Sequence, residues 1–327
     1  MTRKQFWNGI CASIGMLILI LDGKMALEGT RNGIELCLKT VIPSLFPFFI
    51  LSIVLTNSLA GTSLPFLRPL GQLCGIPKGA ESILISGFLG GYPVGAQCIS
   101  AAHNTGQLSS SEAARMLSFC NNAGPAFLFG MISSVFPSKW HVWALWGIHI
   151  ISAIFVAMII PGNSSKILQV SEKSGISLSN ALQSAIRVMA TVCGWVVLFR
   201  VLIAFLNRWI LWLLPMDLQV LFTGLLELSN GCCELLSVTD VKLRFLICSG
   251  MLVFGGLCVT MQTVCVASRL SLRLYFQGKL MQTFFSLILS CGILYHAWLM
   301  CFALLVISLL ILRKMQKKSS IPAAVGV

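Results

Sequence analysis

Long apolar runs alternate along the chain with short charged intervals, and the runs take up most of its length. Residues 5–21, 40–60, 116–138, 140–160 and 245–268 are bounded by charges, and each is long enough to cross a bilayer as a helix, which takes about 20 mostly apolar residues. Residues 182–206 make a further run with Arg200 inside it. The first run follows Arg3 and Lys4 as a signal peptide would. Asp22 and Lys24 come next without a small-residue cleavage site, so an uncleaved helix is expected. Over Met25 to Lys39, Glu28, Arg31, Glu35 and Lys39 alternate with apolar residues, which predicts a separate amphipathic helix at the interface. Residues 280–312 must cross twice, turning near Tyr295 and His296, if the basic tail Arg313, Lys314, Lys317 and Lys318 lies on the cytoplasmic side.

Two other apolar segments are poorly built for straight helices. Residues 82–111 carry Gly87, Gly90, Gly91, Tyr92, Pro93 and Gly95, then His103, Asn104, Thr105 and Gly106; residues 218–238 carry Gly224, Glu227, Ser229, Asn230 and Gly231. Backbone freed from helical bonding inside a membrane must be satisfied by protein or by a wet cavity, so both segments read as re-entrant hairpins. Each follows a long apolar run and precedes a run interrupted by glycine: Gly124-Pro125 in the first half, Gly250 and Gly255-Gly256 in the second. The order repeats. One crossing, 140–160, separates the two units, and an odd number of crossings makes the second enter from the opposite face. The expected fold is an all-α polytopic membrane protein of about eight transmembrane helices with two re-entrant hairpins in an inverted repeat.

The corresponding division is 1–39 for an N-terminal helix and the interfacial helix, 40–138 for the first repeat, and 139–179 for a linking helix and loop; 180–268 holds the second repeat and 269–327 a C-terminal segment with a basic tail. With the N-terminus inside, Arg68, Lys78, Lys166, Lys173, Arg187, Arg269, Arg273 and Lys279 all fall on the cytoplasmic side, as the positive-inside bias requires.

Composition narrows the function. The chain is 57% hydrophobic and 10% charged, with mean hydropathy +0.89; soluble domains carry about 25% charged residues. That leaves no room for a soluble catalytic domain and points to a multi-pass protein of the cell membrane. The net charge of +13 would suit a nucleic-acid partner in a soluble protein, but here the bases sit at the ends of apolar runs and face lipid headgroups. The 13 cysteines lie in apolar stretches without ligand spacing, and the vicinal pair Cys232-Cys233 beside Glu234 has no neighbouring histidine. His103, His141, His149 and His296 form no HExxH pattern. Neither a phosphate-binding G-x-x-x-x-G-K-[ST] loop nor a G-x-S-x-G elbow occurs. No metal, cofactor or enzymatic activity is expected.

Paired broken helices in inverted halves are the sequence pointer to a secondary transporter, with its solute near the midplane. In the first hairpin, Gly90, Gly91 and Gly95 permit close backbone approach, Pro93 ends helical bonding, and Tyr92 offers an aromatic face with a hydroxyl. Asn121 and Asn122 precede Gly124-Pro125 inside a crossing, where the residue before proline leaves the helical region. In the second hairpin, Ser229, Asn230 and Gly231 follow Glu227. An ionisable residue at that depth costs about 2.5–3.5 kcal/mol even on the lenient insertion scale. Glu227 is therefore a candidate for a coupling proton or sodium ion, the alternative being an ion pair with Arg187 or Arg200. Arg200 can attract an anion, snorkel, or pair with a carboxylate. Packing by small residues is the competing reading for the glycines. The expected partners are a small solute and the bilayer, with a homo-oligomer left open.

At these residues the chain resembles a known family. PSLFPFFIL from Pro43, GFLGGYPVGA from Gly87, NNAGPAF from Asn121 and ELSNG from Glu227 resemble the YlbJ/SpoVV sporulation membrane proteins, over about residues 34–280. These belong to the nucleoside-recognition Gate group, similar in plan to concentrative nucleoside transporters and to the membrane gate of ferrous-iron permeases. The resemblance implies export of dipicolinic acid across the outer forespore membrane during endospore formation. It carries over Gly90, Gly91, Tyr92, Pro93, Asn121, Asn122, Gly124, Glu227, Ser229 and Asn230. A relative that moves a nucleoside or a cation, or a gate or scaffold subunit that moves nothing, would carry the same motifs.

Overall fold

The computed structural model describes residues 3–59, 61–162 and 177–319, and among these all regular structure is helical. The first half holds α1 (Arg3–Leu21), α2 (Gly23–Leu36), α3 (Ile42–Leu59), α4 (Arg68–Leu73), α5 (Glu81–Leu89), α6 (Val94–Asn104), α7 (Ser110–Leu117), α8 (Pro125–Gly130) and α9 (Lys139–Ile159). The second holds α10 (Leu178–Trp209), α11 (Met216–Leu226), α12 (Leu228–Glu234), α13 (Val241–Phe254), α14 (Gly256–Val266), α15 (Arg273–Tyr295) and α16 (Trp298–Ser319). Five helical stretches are long and apolar enough to cross a membrane: Gly23–Leu59, Lys139–Ile159, Leu178–Trp209, Val241–Val266 and Arg273–Tyr295. The molecule is an all-helical, multi-pass integral membrane protein.

The interfacial helix expected over Met25 to Lys39 is not a separate element. A π-helical turn, Cys37–Val41, joins α2 to α3, so that Gly23–Leu59 runs as one helix of 37 residues. The reason lies in Gly29 and Gly33, which let α2 lie along α10; a Cβ at either would stand 2.9 Å from the Cα of Val201 or Val197. That contact holds the segment against protein.

The two halves present the same elements in the same order: a long helix (α2–α3, then α10), a helical pair (α5–α6, α11–α12), an interrupted helix (α7–α8, α13–α14) and another long helix (α9, α15). Both helical pairs fold back on themselves. The carbonyl of Cys120 abuts Gly87 on α5 and Gly95 on α6, positions that in a continuous helix would stand about 12 Å apart, so the chain reverses between them. In the second pair Gly231 abuts Gly224.

The run 116–138 is not one helix. It breaks over 118–124, and Pro125 starts α8 where its missing N–H costs nothing. Its counterpart breaks at Gly255 and Gly256, whose φ of 80° and 77° lie in the left-handed region that favours glycine. Residues 280–312 belong to two helices, α15 and α16, which meet at His296. Lys166 and Lys173 lie outside the described residues.

The halves interlock: α2 packs along α10, α9 along α15, α6 against α14 and α7 against α15. Arg115 on α7 clamps the end of α9. Its buried guanidinium donates to Ile160 O (2.8 Å), Ala157 O (3.0 Å), Gly75 O (3.1 Å) and Cys74 O, meeting carbonyls that the helix end leaves unpaired.

Candidate functional site

The breaks in the two halves meet one another. In the first half, the turn between α5 and α6 places Gly91, with φ 79°, against the break before α8; a Cβ on Gly124 would lie 2.9 Å from the Gly91 Cα. From that turn Tyr92 reaches across to the second half, where its hydroxyl lies 3.2 Å from both Leu252 O and Val253 O. Both carbonyls fall in the last turn of α13, which leaves them without helical partners. On the other side of that break, Gly256 faces the carbonyls of Gly224, Leu225 and Leu226 at the end of α11. A break in each half thus touches the paired helices of its own half, and Tyr92 links the two sets.

Between them lies a cavity of about 30 Å³. Tyr92 and Gly124 line it from the first half, Glu227, Ser229 and Gln262 from the second, and Val41, Leu45, Val192 and Val196 of the two long helices close it. A water needs roughly 10–15 Å³ of such space, so the cavity has room for one or two waters and for no organic solute. Two larger clefts flank it at opposite ends of α3. One, of about 290 Å³, lies by Thr56, Asn57, Ser82 and Gln97. The other, of about 550 Å³, lies by Lys39, Ser44, Ser134 and Cys233.

Glu227 is the N-cap of α12. Its carboxylate accepts from Ser229 N at 3.1 Å, from Asn230 N at 2.7 Å and from Asn230 Nδ2 at 2.6 Å, and it is 2% exposed. A carboxylate is favoured there by free backbone donors and by the positive end of the helix. It makes no ion pair with Arg187 or Arg200. Arg200 stands away from the cavity, 3.5 Å from Glu234 across the α10–α12 boundary.

Behind the first-half wall lies a buried polar cluster in which Lys279 and Gln282, which sequence reasoning missed, join the candidates Tyr92, Asn121 and Asn122. Lys279, on α15, donates to Tyr92 Oη (2.9 Å), Asn121 O (2.7 Å) and Gln282 Oε1 (3.2 Å). Gln282 in turn donates to Asn122 Oδ1 at 2.9 Å and to His149 O at 3.2 Å. Asn121 donates to Thr263 Oγ1 at 2.9 Å and accepts from Ala96 N at 3.3 Å, capping α6. His149 Nε2 accepts from Ala123 N at 3.1 Å, which fixes its proton on Nδ1. The cluster joins α6, the α7–α8 break, α9, α14 and α15.

Lys279 corrects the charge reading most sharply. Expected at a cytoplasmic helix end, it is 2% exposed inside the protein, because α15 begins two turns earlier than the apolar run suggested. The available signal was an ionisable residue within a 23-residue apolar helix.

Of the other sequence candidates, Gly90 packs against Val94, and Gly95 seats the hairpin on Cys120. Pro93 is the N-cap of α6, Asn230 serves Glu227, and Gly231 packs on Gly224. Tyr92, Gly124, Glu227 and Ser229 share the cavity; Asn121 and Asn122 stand behind its wall. Among the described residues no group of three His, Cys, Asp or Glu side chains is placed to hold a metal ion.

Against known proteins, the chain is 27% identical over 338 aligned positions to the sporulation integral membrane protein YlbJ of Bacillus subtilis (strain 168), covering 86% of this chain and 81% of that protein. This similarity supports membership of the YlbJ family. No family model and no solved structure matches the chain.

Proposed function

We propose that this protein is a membrane transporter for a small anionic metabolite, dipicolinic acid first among them, working by alternating access between two inverted repeats that hold a solute near the bilayer midplane. The observation that carries the reading is the shared cavity: Tyr92 and Gly124 from one half face Glu227 and Ser229 from the other, each beside a helix break. Broken helices around a common cavity supply unpaired backbone groups to replace a solute's water.

In this reading the two helical pairs are re-entrant hairpins, and the small cavity is the occluded state of the site. The clefts by Asn57 and by Ser44 are the two approaches; twelve helical residues from Ser44 to Thr56 span about 18 Å. Glu227 carries the coupling proton or sodium ion. The planar aromatic dicarboxylate suits the chemistry of a site that, once opened, combines backbone donors with the Tyr92 face, and the similarity to a sporulation membrane protein favours it over nucleosides.

The test is solute flux into proteoliposomes containing the purified protein, comparing dipicolinate, a nucleoside and ferrous iron. Saturable dipicolinate flux that Gly91→Leu abolishes is the expected result. Flux of none of the three solutes would favour a gate or scaffold role.

A further inference from the structure

Two ionisable groups stand at the cavity, one capping a helix start and the other held behind the wall by neutral oxygens. Glu227 meets two backbone N–H groups at the start of α12 and the Asn230 amide. Lys279 meets three neutral oxygens and, among the described residues, no carboxylate within ion-pair distance. His149 accepts from a backbone N–H at Nε2 and is neutral, so it neither adds to nor offsets that charge. A buried ammonium without a counter-charge is costly, and an anion brought beside it in good hydrogen-bond geometry offsets part of that cost. The ammonium sits one side chain behind the cavity wall: Tyr92 lines the cavity, its hydroxyl is 2.9 Å from Lys279 Nζ, and its ring centroid is 4.9 Å from that nitrogen.

We infer that Lys279 is the recognition group for a carboxylate: the solute's carboxylate takes the N–H that the Tyr92 hydroxyl now accepts, and the Tyr92 ring lies against the rest of the molecule. The site then selects planar carboxylates over neutral solutes of the same shape. Arg200, the cation singled out from sequence, is already paired with Glu234 away from the cavity. Tyr92 bonds Leu252 O and Val253 O of the other half, and the entering carboxylate competes with its hydroxyl for Lys279.

The inference rests on the transporter reading for a flux readout, and binding tests it separately. Dipicolinate, benzoate, citrate and the neutral pyridine-2,6-dicarboxamide are compared as ligands in thermal shift on the purified full-length protein, and dipicolinate and the diamide in proteoliposome flux. Wild type should be stabilised by dipicolinate and should carry it at least tenfold faster than the diamide. Lys279→Gln and Lys279→Met should lose the dipicolinate shift and lower the flux ratio tenfold or more, and Lys279→Arg should keep part of both. Tyr92→Phe, which frees the Lys279 donor, should bind dipicolinate several-fold more tightly, an arm that does not depend on the lysine variants folding.

The inference is overturned if the Gln or Met variant handles dipicolinate as wild type does. It is equally overturned if dipicolinate and diamide weaken by the same factor, if Tyr92→Phe binds no more tightly, or if no carboxylate stabilises wild type. Lysine-dependent binding without any flux would uphold the inference while removing the transporter reading.

Discussion

Replacing Gly95 with alanine puts a methyl group where a peptide already sits. The new Cβ would press on the Cys120 carbonyl oxygen and come within 3.0 Å of the Cys120 carbonyl carbon and 3.1 Å of the Asn121 Cα. All three contacts are backbone, and that backbone has nowhere to go. Gly87 presses on the same carbonyl from the other helix of the hairpin, and Asn121 is tied to Ala96 N, Thr263 and Lys279. Overpacking of this kind costs about 1–3 kcal/mol. Alanine's better helix propensity offsets little of it, since Gly95 is the second residue of α6. At about 2 °C per kcal/mol for a large domain, the melting temperature should fall by roughly 2–6 °C. Flux should fall with it, because Tyr92 and Asn121 ride on the displaced segments. A thiol-reactive dye reports the melt, since Cys120, Cys248 and Cys258 are free and buried. The control is Gly147→Ala in the middle of α9, where a Cβ meets nothing within 4 Å; it should melt at or above the wild-type temperature. If Gly95→Ala melts and transports like Gly147→Ala, the hairpin does not grip the Cys120 peptide.

Three further outcomes are expected. Glu227→Ala should lower stability by about 0.5–2 kcal/mol through loss of the α12 cap, whereas Glu227→Gln should insert and fold but respond differently to imposed proton or sodium gradients; flux identical under every gradient would remove its coupling role. Arg115→Met strips the donors from Cys74 O, Gly75 O, Ala157 O and Ile160 O. At about 1.5–3 kcal/mol for a charged hydrogen bond, it should melt lower than Gly95→Ala, and wild-type melting would refute the clamp. Cysteines introduced at Lys78 and Asp217, in a background lacking the exposed Cys11, Cys233 and Cys265, should react with impermeant reagents from opposite sides of the membrane. Labelling from one side would refute the inverted repeat.

The parts of the site that were legible in the sequence are those where a residue type has few other uses. Gly-Gly-Tyr-Pro and Asn-Asn-Ala-Gly-Pro cannot continue a helix, so a break at Tyr92 and another before Pro125 follow from local sterics. A carboxylate at Glu227 in an apolar segment needs donors close at hand, and Ser229 and Asn230 supply them. Boundaries were harder to read. The start of α15 was hidden because Arg273 and Lys279 look alike as charges, and only the surroundings distinguish a helix end from an interior lysine. The amphipathic stretch Met25 to Lys39 reads equally well as lying on lipid or along another helix; contact with Val197 and Val201 decides it.

From the sequence alone came the class of molecule, its broken segments and the repeated order of elements, because hydrophobic run length and glycine-proline sterics act within a few residues of chain. Which broken segment faces which was decided only by the tertiary structure. Tyr92 meets Leu252 and Val253 across 160 and 161 residues and Lys279 across 187, contacts that satisfy orphan carbonyls and a buried ammonium far apart in the chain. Local patterning says that such groups need partners; packing alone says where they find them.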